Sequence, residues 1–245
     1  MALPLTWVFK YKFDKNGFLD KFKARVYVRG DLQTTEANKY AATLAASSFR
    51  ALMAITAAYD LEIKQVDTMN AFLNSDLDEE VYIKYPPGMQ KANKVLRLVK
   101  ALYGLKRSPR LWYKELTGTL KGLGLTEIND MKCVIASNVG IVFFYVDDII
   151  FLYHRLQQKQ INKLLDKVQA KYPLRVMEQA NWFLGIRILR NRQTKQVWLC
   201  QDTYVDKVAA KYHVQGTRIP YTPLPSQKLL INQEKATPQE TLLYQ

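Results

Sequence analysis

The chain of 245 residues contains no apolar run that approaches the ~20 residues that a membrane-spanning helix needs. Its first residues, MALPLTW, lack the charged and then apolar layout of a signal peptide. Both absences argue against membrane binding. We therefore expect a protein of the cytoplasm or the nucleus.

Cysteine and histidine are scarce, with two of each. Cys133 and Cys200 are isolated, and His154 and His213 form no spaced cluster with them. This distribution argues against a disulfide framework and against a zinc site. We expect both cysteines to lie in the core. Internal repeats and low-complexity blocks are also missing.

The composition is that of a folded and strongly basic protein. At 48% hydrophobic content the chain can bury a core, in one large domain or two small ones. The 36 Lys and Arg residues exceed the 22 Asp and Glu residues by a net charge of +14. This charge indicates a polyanionic partner, with nucleic acid first, although a basic solvated surface without a specific partner is the alternative.

Residues 141–153 (IVFFYVDDIIFLY) are two apolar, β-rich runs joined through Asp147 and Asp148. The pattern predicts a hairpin of buried strands with both carboxylates at its tip. Ionised carboxylates beside so much apolar surface are costly unless a charge compensates them, and a divalent cation would do so. The alternative is an ordinary turn, where Asp is common.

The sequence pattern of residues 7–67 predicts a basic hairpin, a helix and a strand. Residues 7–13 and 21–29 alternate around a turn signal and carry cations that would suit phosphate contacts or would protect a solvent-exposed edge strand. These cations are Lys10, Lys12, Lys21, Lys23, Arg25 and Arg29. Residues 40–59 predict a buried Ala-rich helix, and residues 61–67 a strand that ends at Asp67. Asp67 is either a site carboxylate or a helix cap.

A helix start is predicted at Ser108, with Ser as N-cap and Pro109 at the first helical position. A loop that contains Gly104 and Lys106 precedes it, and with Arg107 and Arg110 it predicts an anion site at the helix N-terminus.

The remaining elements are predicted from apolar periodicity. Short strands are expected at 81–84, 95–98, 174–177, 182–189 and 196–200, and helices at 156–172 and 202–212. Beyond Gly216 the Pro-rich composition predicts a linker or tail.

Two strand-mounted aspartates at one point, with a basic hairpin nearby, fit two-metal nucleotidyl transfer. Five motifs, in a fixed order along the chain, make this prediction more specific. The YVDD tip (145–148), VDTMNAFLN (66–74) and LYGLKRSPRLWY (102–113) resemble the reverse transcriptase of copia-type LTR retrotransposons, as do KARV (23–26) and WFLGI (182–186). The resemblance runs from about Trp7 to His213.

The resemblance implies an α+β right-hand polymerase fold with an antiparallel palm sheet. It implies a reverse transcriptase domain over 1–213 and a linker or tail over 214–245. Fingers are expected at about 1–39 and 75–102, palm at about 40–74 and 103–190, and a short partial thumb at about 191–213.

The resemblance also implies roles for single residues. Asp67, Asp147 and Asp148 would be the catalytic carboxylates that hold two Mg²⁺ ions, for which Mn²⁺ can substitute. The nucleotide site would contain Lys10, Lys12, Lys23, Arg25, Phe72 as steric gate, Tyr103 and Gly104. Template and primer would contact Lys106, Tyr145, Leu184 and Gly185. The implied partners are an RNA template, a DNA primer or heteroduplex, dNTPs, and the integrase and RNase H of a polyprotein.

Two features depart from the family pattern. Residues 31–39 compress a stretch that is usually longer, and no protease, integrase or RNase H sequence is present. We therefore expect a fragment, a processed piece or a remnant. An RNA-directed DNA polymerase is the main hypothesis. A catalytically silent nucleic-acid-binding remnant and a template-independent nucleotidyltransferase are the alternatives.

Overall fold

The computed structural model describes residues 2–14, 17–34, 40–91, 93–177, 180–212 and 236–239. The chain divides into two compact units, Met1–Gln201 and Asp202–Gln245. The tail expected at 214–245 lies outside the described residues, except for 236–239. Within the described ranges, no helix is both long enough and apolar enough to cross a membrane.

The elements of the first unit are, in chain order, β1 (Leu5–Phe13), β2 (Leu19–Val28), α1 (Ala46–Ala58), β3 (Glu62–Thr68), β4 (Tyr82–Ile83), β5 (Leu96–Arg97), α2 (Ser108–Gly122), β6 (Thr126–Glu127), β7 (Val134–Ser137), β8 (Gly140–Tyr145), β9 (Asp148–Tyr153), α3 (Gln158–Lys171), β10 (Leu174–Val176), β11 (Trp182–Phe183), β12 (Ile186–Asn191) and β13 (Gln196–Cys200). Short 3₁₀ helices lie at Gly30–Leu32, Ala71–Asn74 and Arg155–Gln157. The second unit contains α4 (Asp202–Lys211).

The first unit is a mixed α/β structure built around an antiparallel sheet. The strand order of this sheet is β10-β3-β9-β8-β7-β6. Its middle strands β8 and β9 are rich in aromatic and β-branched residues, which favour a pleated and buried backbone. Ile149, Ile150, Phe151 and Leu152 have no exposed surface. The sheet is therefore covered on both faces at β9, as expected for a run without polar alternation.

Helices cover the two faces of this sheet. The ring of Phe49 in α1 lies 6.1 Å from that of Phe143, and the ring of Tyr113 in α2 lies 5.9 Å from that of Phe144. Phe143 and Phe144 are neighbours in β8, so their side chains point to opposite faces. Helices α1 and α2 therefore lie on opposite sides of β8.

The β1–β2 hairpin has two chemically different faces. Lys10 pairs with Lys23 and Lys12 pairs with Lys21, so these cations share one face. The other face is aromatic, and its side chains are largely exposed. The hairpin predicted from the alternating pattern is confirmed, with cations and aromatics on separate faces.

The hairpin is anchored where β2 ends. The Val28 amide donates to the Tyr103 carbonyl at 2.8 Å. Gly104 has a φ of +94°, and a Cβ atom on it would lie 2.0 Å from the Val28 carbonyl oxygen. A Cβ atom on Gly30 would lie 1.8 Å from the Gly104 carbonyl oxygen. Only glycine allows the two backbones to approach this closely.

Several predicted element boundaries were wrong. Helix α1 begins at Ala46 and not at residue 40, because Ala45 is extended and the preceding segment buries Leu44. Ser108 is not an N-cap, since its hydroxyl donates to the Leu102 carbonyl at 2.6 Å and Arg107 occupies the cap position. Helix α3 begins at Gln158, after a 3₁₀ turn.

The strand predicted at 182–189 is a hairpin. Leu184 and Gly185 have φ values of +51° and +77°, which is the pattern of a two-residue turn between β11 and β12. The cysteine prediction holds for one residue. Cys133 is buried, and burial raises the pKa of its thiol to about 12, whereas Cys200 is only half-buried.

We predict that Gly104→Ala destabilises the chain by about 3 kcal/mol, because the new methyl group meets backbone at a positive φ. The free energy of unfolding in urea measures this effect. Gly118→Ala is the matched control. Gly118 lies within α2, and a Cβ atom on it would have no neighbour within 4 Å. This control should stabilise the chain by about 1 kcal/mol. Equal effects of the two substitutions would contradict the close packing of Gly104.

Candidate active site

The tip of the β8–β9 hairpin carries two carboxylates. Tyr145 pairs with Asp148 across the hairpin, so the connecting loop consists of Val146 and Asp147 alone. The sequence had indicated that both aspartates lie at the tip. Asp148 is instead the first residue of β9, and only Asp147 belongs to the turn. Val146 has a φ of +55°. A short loop between two buried strands holds Asp147 at a defined point.

Asp67 lies next to this tip. It occupies β3, directly opposite Asp148 in β9, and residues that are directly opposite point to the same face. The Thr68 amide donates to the Asp147 carbonyl at 2.8 Å, which ties the turn to β3. Arg175 in β10 lies opposite Asp67 on its other side. The sheet thus brings together the three aspartates that the sequence had singled out.

Burial and mutual repulsion act on these carboxylates. Burial raises the pKa of Asp67, and the negative charge of Asp147 raises it further, while Lys23, Arg175 and Arg25 act in the opposite direction. Burial also raises the pKa of Asp148, although a hydrogen bond from the Gln65 amide at 3.4 Å partly offsets this. The site therefore holds negative charge that the protein compensates only in part.

The oxygen donors of this site are of the kind that Mg²⁺ prefers. In the part of the chain that the structure describes, no group of three or more His, Cys, Asp or Glu side chains is arranged to hold an ion. Mg²⁺ commonly binds through one or two carboxylates and keeps its water and phosphate ligands. The repelling pair Asp67 and Asp147 fits this kind of binding, and Asp148 is held by Gln65 beside it.

The cationic face of the β1–β2 hairpin is turned toward the aspartates. Lys23 and Arg25 both act on the Asp67 charge. The pKa of Lys23 is lowered by burial and by the neighbouring Arg25 and Lys12, which shows how crowded these cations are. Lys10 lies opposite Lys23 on the same face. An anion between this face and the aspartates would meet several cations at once.

An aromatic cluster lies between the hairpin and β3. The rings of Phe72 and Tyr103 are 4.7 Å apart, and the Arg25 guanidinium lies 5.2 Å from the centre of the Tyr103 ring. Phe72 belongs to the 3₁₀ turn that follows β3 and is 9% exposed. Burial raises the pKa of the Tyr103 hydroxyl. Of the other predicted nucleotide contacts, Gly104 follows Tyr103 directly and packs against β2.

The three cations of the anion site predicted at the start of α2 each have a partner within the protein. The Lys106 ammonium donates to the Gln33 carbonyl at 2.7 Å, and Arg110 donates to the Tyr40 carbonyl at 3.2 Å. Arg107 forms an ion pair with Asp78. Sequence spacing could not reveal these partners, because each lies at least 29 residues away along the chain.

The remaining predicted contacts divide between two sheets. Tyr145 is half-buried and lies in the cross-strand row that continues through Asp148 and Asp67. Leu184 and Gly185 form the turn between β11 and β12, which belong to the separate sheet β11-β12-β13. The structure therefore brings Tyr145, but not the 184–185 turn, into the sheet of the aspartates.

Two contacts were missed by sequence reasoning. Gln65 lies two residues before Asp67 on the same face, and its amide contacts Asp148. The Trp112 indole donates to the Val146 carbonyl at 2.6 Å. No distinct sequence signal marked Gln65, because β3 also contains the polar residues Glu62 and Lys64. None marked Trp112 either, because Trp112 fits the apolar face of α2.

We predict that Asp67→Asn stabilises the metal-free chain at neutral pH by about 1 kcal/mol, the usual size of a stabilising substitution. A carboxyl group with a raised pKa costs folded-state free energy while it is ionised, and this cost disappears as the pH falls through the raised pKa. The gain should therefore shrink in acid. Urea unfolding in EDTA, measured at a series of pH values, gives the difference.

Glu115→Gln is the control of opposite sign. A hydrogen bond from Lys171 holds the pKa of Glu115 below its usual range. Ionised Glu115 therefore stabilises the chain at neutral pH, and this contribution is lost as the pH falls through the lowered pKa. Glu115→Gln should destabilise the chain at pH 7 and become neutral in acid. A loss of stability in Asp67→Asn at pH 7 would contradict the electrostatics of the site.

Comparison with known proteins identifies relatives along nearly the whole chain. The family model described as reverse transcriptase (RNA-dependent DNA polymerase) matches residues 1–226. The Pol polyprotein of transposon TNT 1-94 from Nicotiana tabacum is 31% identical over 233 residues, which cover 91% of this chain and 17% of that protein. The Pol polyprotein of transposon RE1 from Arabidopsis thaliana is 30% identical over 234 residues, 91% of this chain and 16% of that protein.

A fungal relative is similar over a shorter region. The Gag-Pol polyprotein of transposon Ty1-BL from Saccharomyces cerevisiae is 29% identical over 159 residues, which cover 63% of this chain and 9% of that protein. The chain thus spans a minor part of the length of each of these polyproteins. Together with the family match, these similarities confirm the resemblance drawn from the motifs, and the chain belongs to the reverse transcriptase family of copia-type retrotransposons.

Proposed function

We propose that this chain is the polymerase core of an RNA-directed DNA polymerase, which transfers dNTPs to a primer 3′-hydroxyl by two-metal nucleotidyl transfer. The observation that carries the proposal is the convergence of Asp67 and Asp147 at the end of one sheet, opposite the cationic face of the β1–β2 hairpin. Carboxylates that repel each other and cations that face them match the needs of a metal-bound triphosphate.

The aspartates would hold two Mg²⁺ ions, with Asp148 as the third carboxylate and Mn²⁺ as a substitute metal. When bound, the ions would activate the primer hydroxyl and stabilise the leaving pyrophosphate. Asp67 and Asp147 would orient this site through oxygen ligands, and Gln65 would keep Asp148 in place. The carboxylates leave coordination positions for water and phosphate oxygens, as Mg²⁺ usually requires.

Arg25 and Lys23, with Lys10 or Lys12, would bind the triphosphate. These side chains share one face of the hairpin, and Lys23 and Arg25 act on the Asp67 charge. A triphosphate bound between this face and the aspartates would be neutralised by several cations. The Arg25 guanidinium is already oriented by the Tyr103 ring. A cation that is held in this way loses little freedom on binding.

Phe72, Tyr103 and Gly104 would surround the sugar and base of the incoming nucleotide. Phe72 is packed against Tyr103 and cannot easily turn away, which suits a steric gate against a 2′-hydroxyl. Tyr145 would pack at the primer terminus, and Leu184 and Gly185 would support the primer strand. Lys106 would contact the template, for which its ammonium would have to leave the Gln33 carbonyl.

The right-hand division belongs to the same proposal. The β1–β2 hairpin would be part of the fingers, the central sheet with Asp67 and Asp147 would be the palm, and residues from about 191 to 213 would be a partial thumb. An RNA template, a DNA primer and the integrase and RNase H of a polyprotein would be its partners. A location in a cytoplasmic particle or in the nucleus stays a prediction.

Primer extension tests the proposal. Oligo(dT)-primed poly(rA) with Mg²⁺ or Mn²⁺ should be extended by the unmodified chain, and Asp147→Asn should reduce the rate at least ~1,000-fold, because it removes a metal ligand at the reacting centre. Asp166→Asn is the matched control. It removes the same charge from an exposed position on α3 and should leave the rate unchanged.

Nucleotide incorporation, measured beside binding, separates the polymerase from a silent remnant. Salt-sensitive binding of the heteroduplex is expected of both, because it depends on phosphate contacts. Metal-dependent incorporation is expected only of the polymerase. Binding without incorporation would favour the silent remnant, and incorporation without a template would favour a template-independent transferase.

Sugar selectivity tests the gate. Phe72→Val should lower the preference for dNTPs over rNTPs about 100-fold, because it opens space beneath the sugar. The ratio of kcat/KM values for dTTP and UTP measures this preference. A ratio is insensitive to the fraction of folded protein, so the loss of stability expected from a buried truncation does not affect it. An unchanged ratio would contradict the role of Phe72.

A further inference from the structure

Trp112 connects helix α2 to the aspartate-bearing turn. Its indole N–H donates to the Val146 carbonyl at 2.6 Å, and the side chain is 1% exposed. The same ring packs edge-on against Tyr172 at 5.2 Å. A short hydrogen bond in a buried environment is stronger than one in water, and its loss leaves a carbonyl oxygen without a partner.

The turn that receives this bond is strained. Val146 is the first of the two loop residues and has a φ of +55°, whereas Asp147 is not among the residues with positive φ. This pattern is that of a type II′ turn, in which glycine is favoured at the first position. A β-branched residue is an outlier there. Such a conformation persists only when its surroundings hold it.

Two hydrogen bonds hold the peptide groups on either side of Asp147. The Val146 carbonyl, which precedes Asp147, accepts from Trp112. The Asp147 carbonyl, which follows its Cα atom, accepts from the Thr68 amide at 2.8 Å. When both peptide planes are fixed, the direction of the Cα–Cβ bond between them is fixed as well. The orientation of the Asp147 carboxylate therefore depends on Trp112 and Thr68.

We propose that Trp112 is a positioning residue, whose indole N–H holds the strained Val146–Asp147 turn so that the Asp147 carboxylate faces Asp67. The proposal rests on the proposed function, in which these carboxylates bind the metal ions. It concerns the N–H group and not the bulk of the ring. Trp112 does not touch the reacting atoms.

Trp112→Phe tests the N–H group, because it keeps a flat apolar ring and removes the donor. We expect a rate of single-nucleotide incorporation about tenfold lower and an affinity for Mn²⁺ about tenfold weaker, the low end for the loss of an outer-shell partner. The KM for dNTP should stay within about twofold, since α2 does not carry the triphosphate cations. Electron paramagnetic resonance of free Mn²⁺ measures the affinity without turnover.

Tyr172→Phe is the matched control for stability. It removes a buried hydroxyl that bonds to Thr119 and Glu115, and it lies against the same indole ring. Both variants should unfold at lower urea concentrations. Only Trp112→Phe should change the rate and the Mn²⁺ affinity. Equal losses of rate and Mn²⁺ affinity in the two variants would overturn the proposal and leave Trp112 as a packing residue.

Val146→Gly provides a second test, because glycine adopts a positive φ without strain. The turn should then keep its shape without the indole bond. In the Val146→Gly background, Trp112→Phe should cost less than about threefold in rate and Mn²⁺ affinity, which is the non-additivity expected of coupled residues. The same tenfold loss in both backgrounds would overturn the proposal.

The two proposals fail in different ways. If the unmodified chain extends no primer, the proposed function fails. The role of Trp112 is then decided by the Mn²⁺ affinities alone, measured for the unmodified chain, the two single variants Trp112→Phe and Val146→Gly, and the double variant. If the unmodified chain extends primers and Trp112→Phe does so equally fast, the polymerase stands and the positioning role fails.

Discussion

The repulsion between the Asp67 and Asp147 carboxylates is the constraint on which the candidate site depends. Asp67 lies at the end of a sheet whose central strands are largely apolar, so burial and the negative charge of Asp147 both disfavour its ionisation. A fold that maximised stability would separate these groups. Their convergence is therefore an argument for function, because strained and destabilised positions are concentrated at sites where a ligand relieves the cost.

Three other features of the first unit hold the repelling aspartates in place. The buried strands β8 and β9 make the tip stiff, and Thr68 and Trp112 hold the two peptide groups of the turn. The cationic face of the β1–β2 hairpin supplies a field of opposite sign. That hairpin is in turn attached through the close contact of Gly104 with Val28. A packing contact thus determines where the cations of the hairpin lie.

Sequence reasoning was right where a local pattern has one physical solution. The aromatic and β-branched run around the YVDD tip had to form buried strands, and the alternation at the N-terminus had to form a hairpin. It was wrong where a side chain bonds to a group outside the local pattern on which the prediction was based. Ser108 looked like a helix cap, yet its hydroxyl bonds to the Leu102 carbonyl, and Lys106 looked like a free cation, yet it donates to Gln33.

The sequence by itself determined which side chains can carry the chemistry: the aspartates, the cations of the hairpin and the motifs that identify the family. Only the tertiary structure decided how they are arranged. The strand order placed β3 beside β9 and so joined Asp67 to Asp148, and the backbone conformation of Val146 made the turn dependent on Trp112. The reason is physical. Residue types and periodicity report local preferences, whereas register, turn strain and long-range hydrogen bonds exist only after the chain has packed.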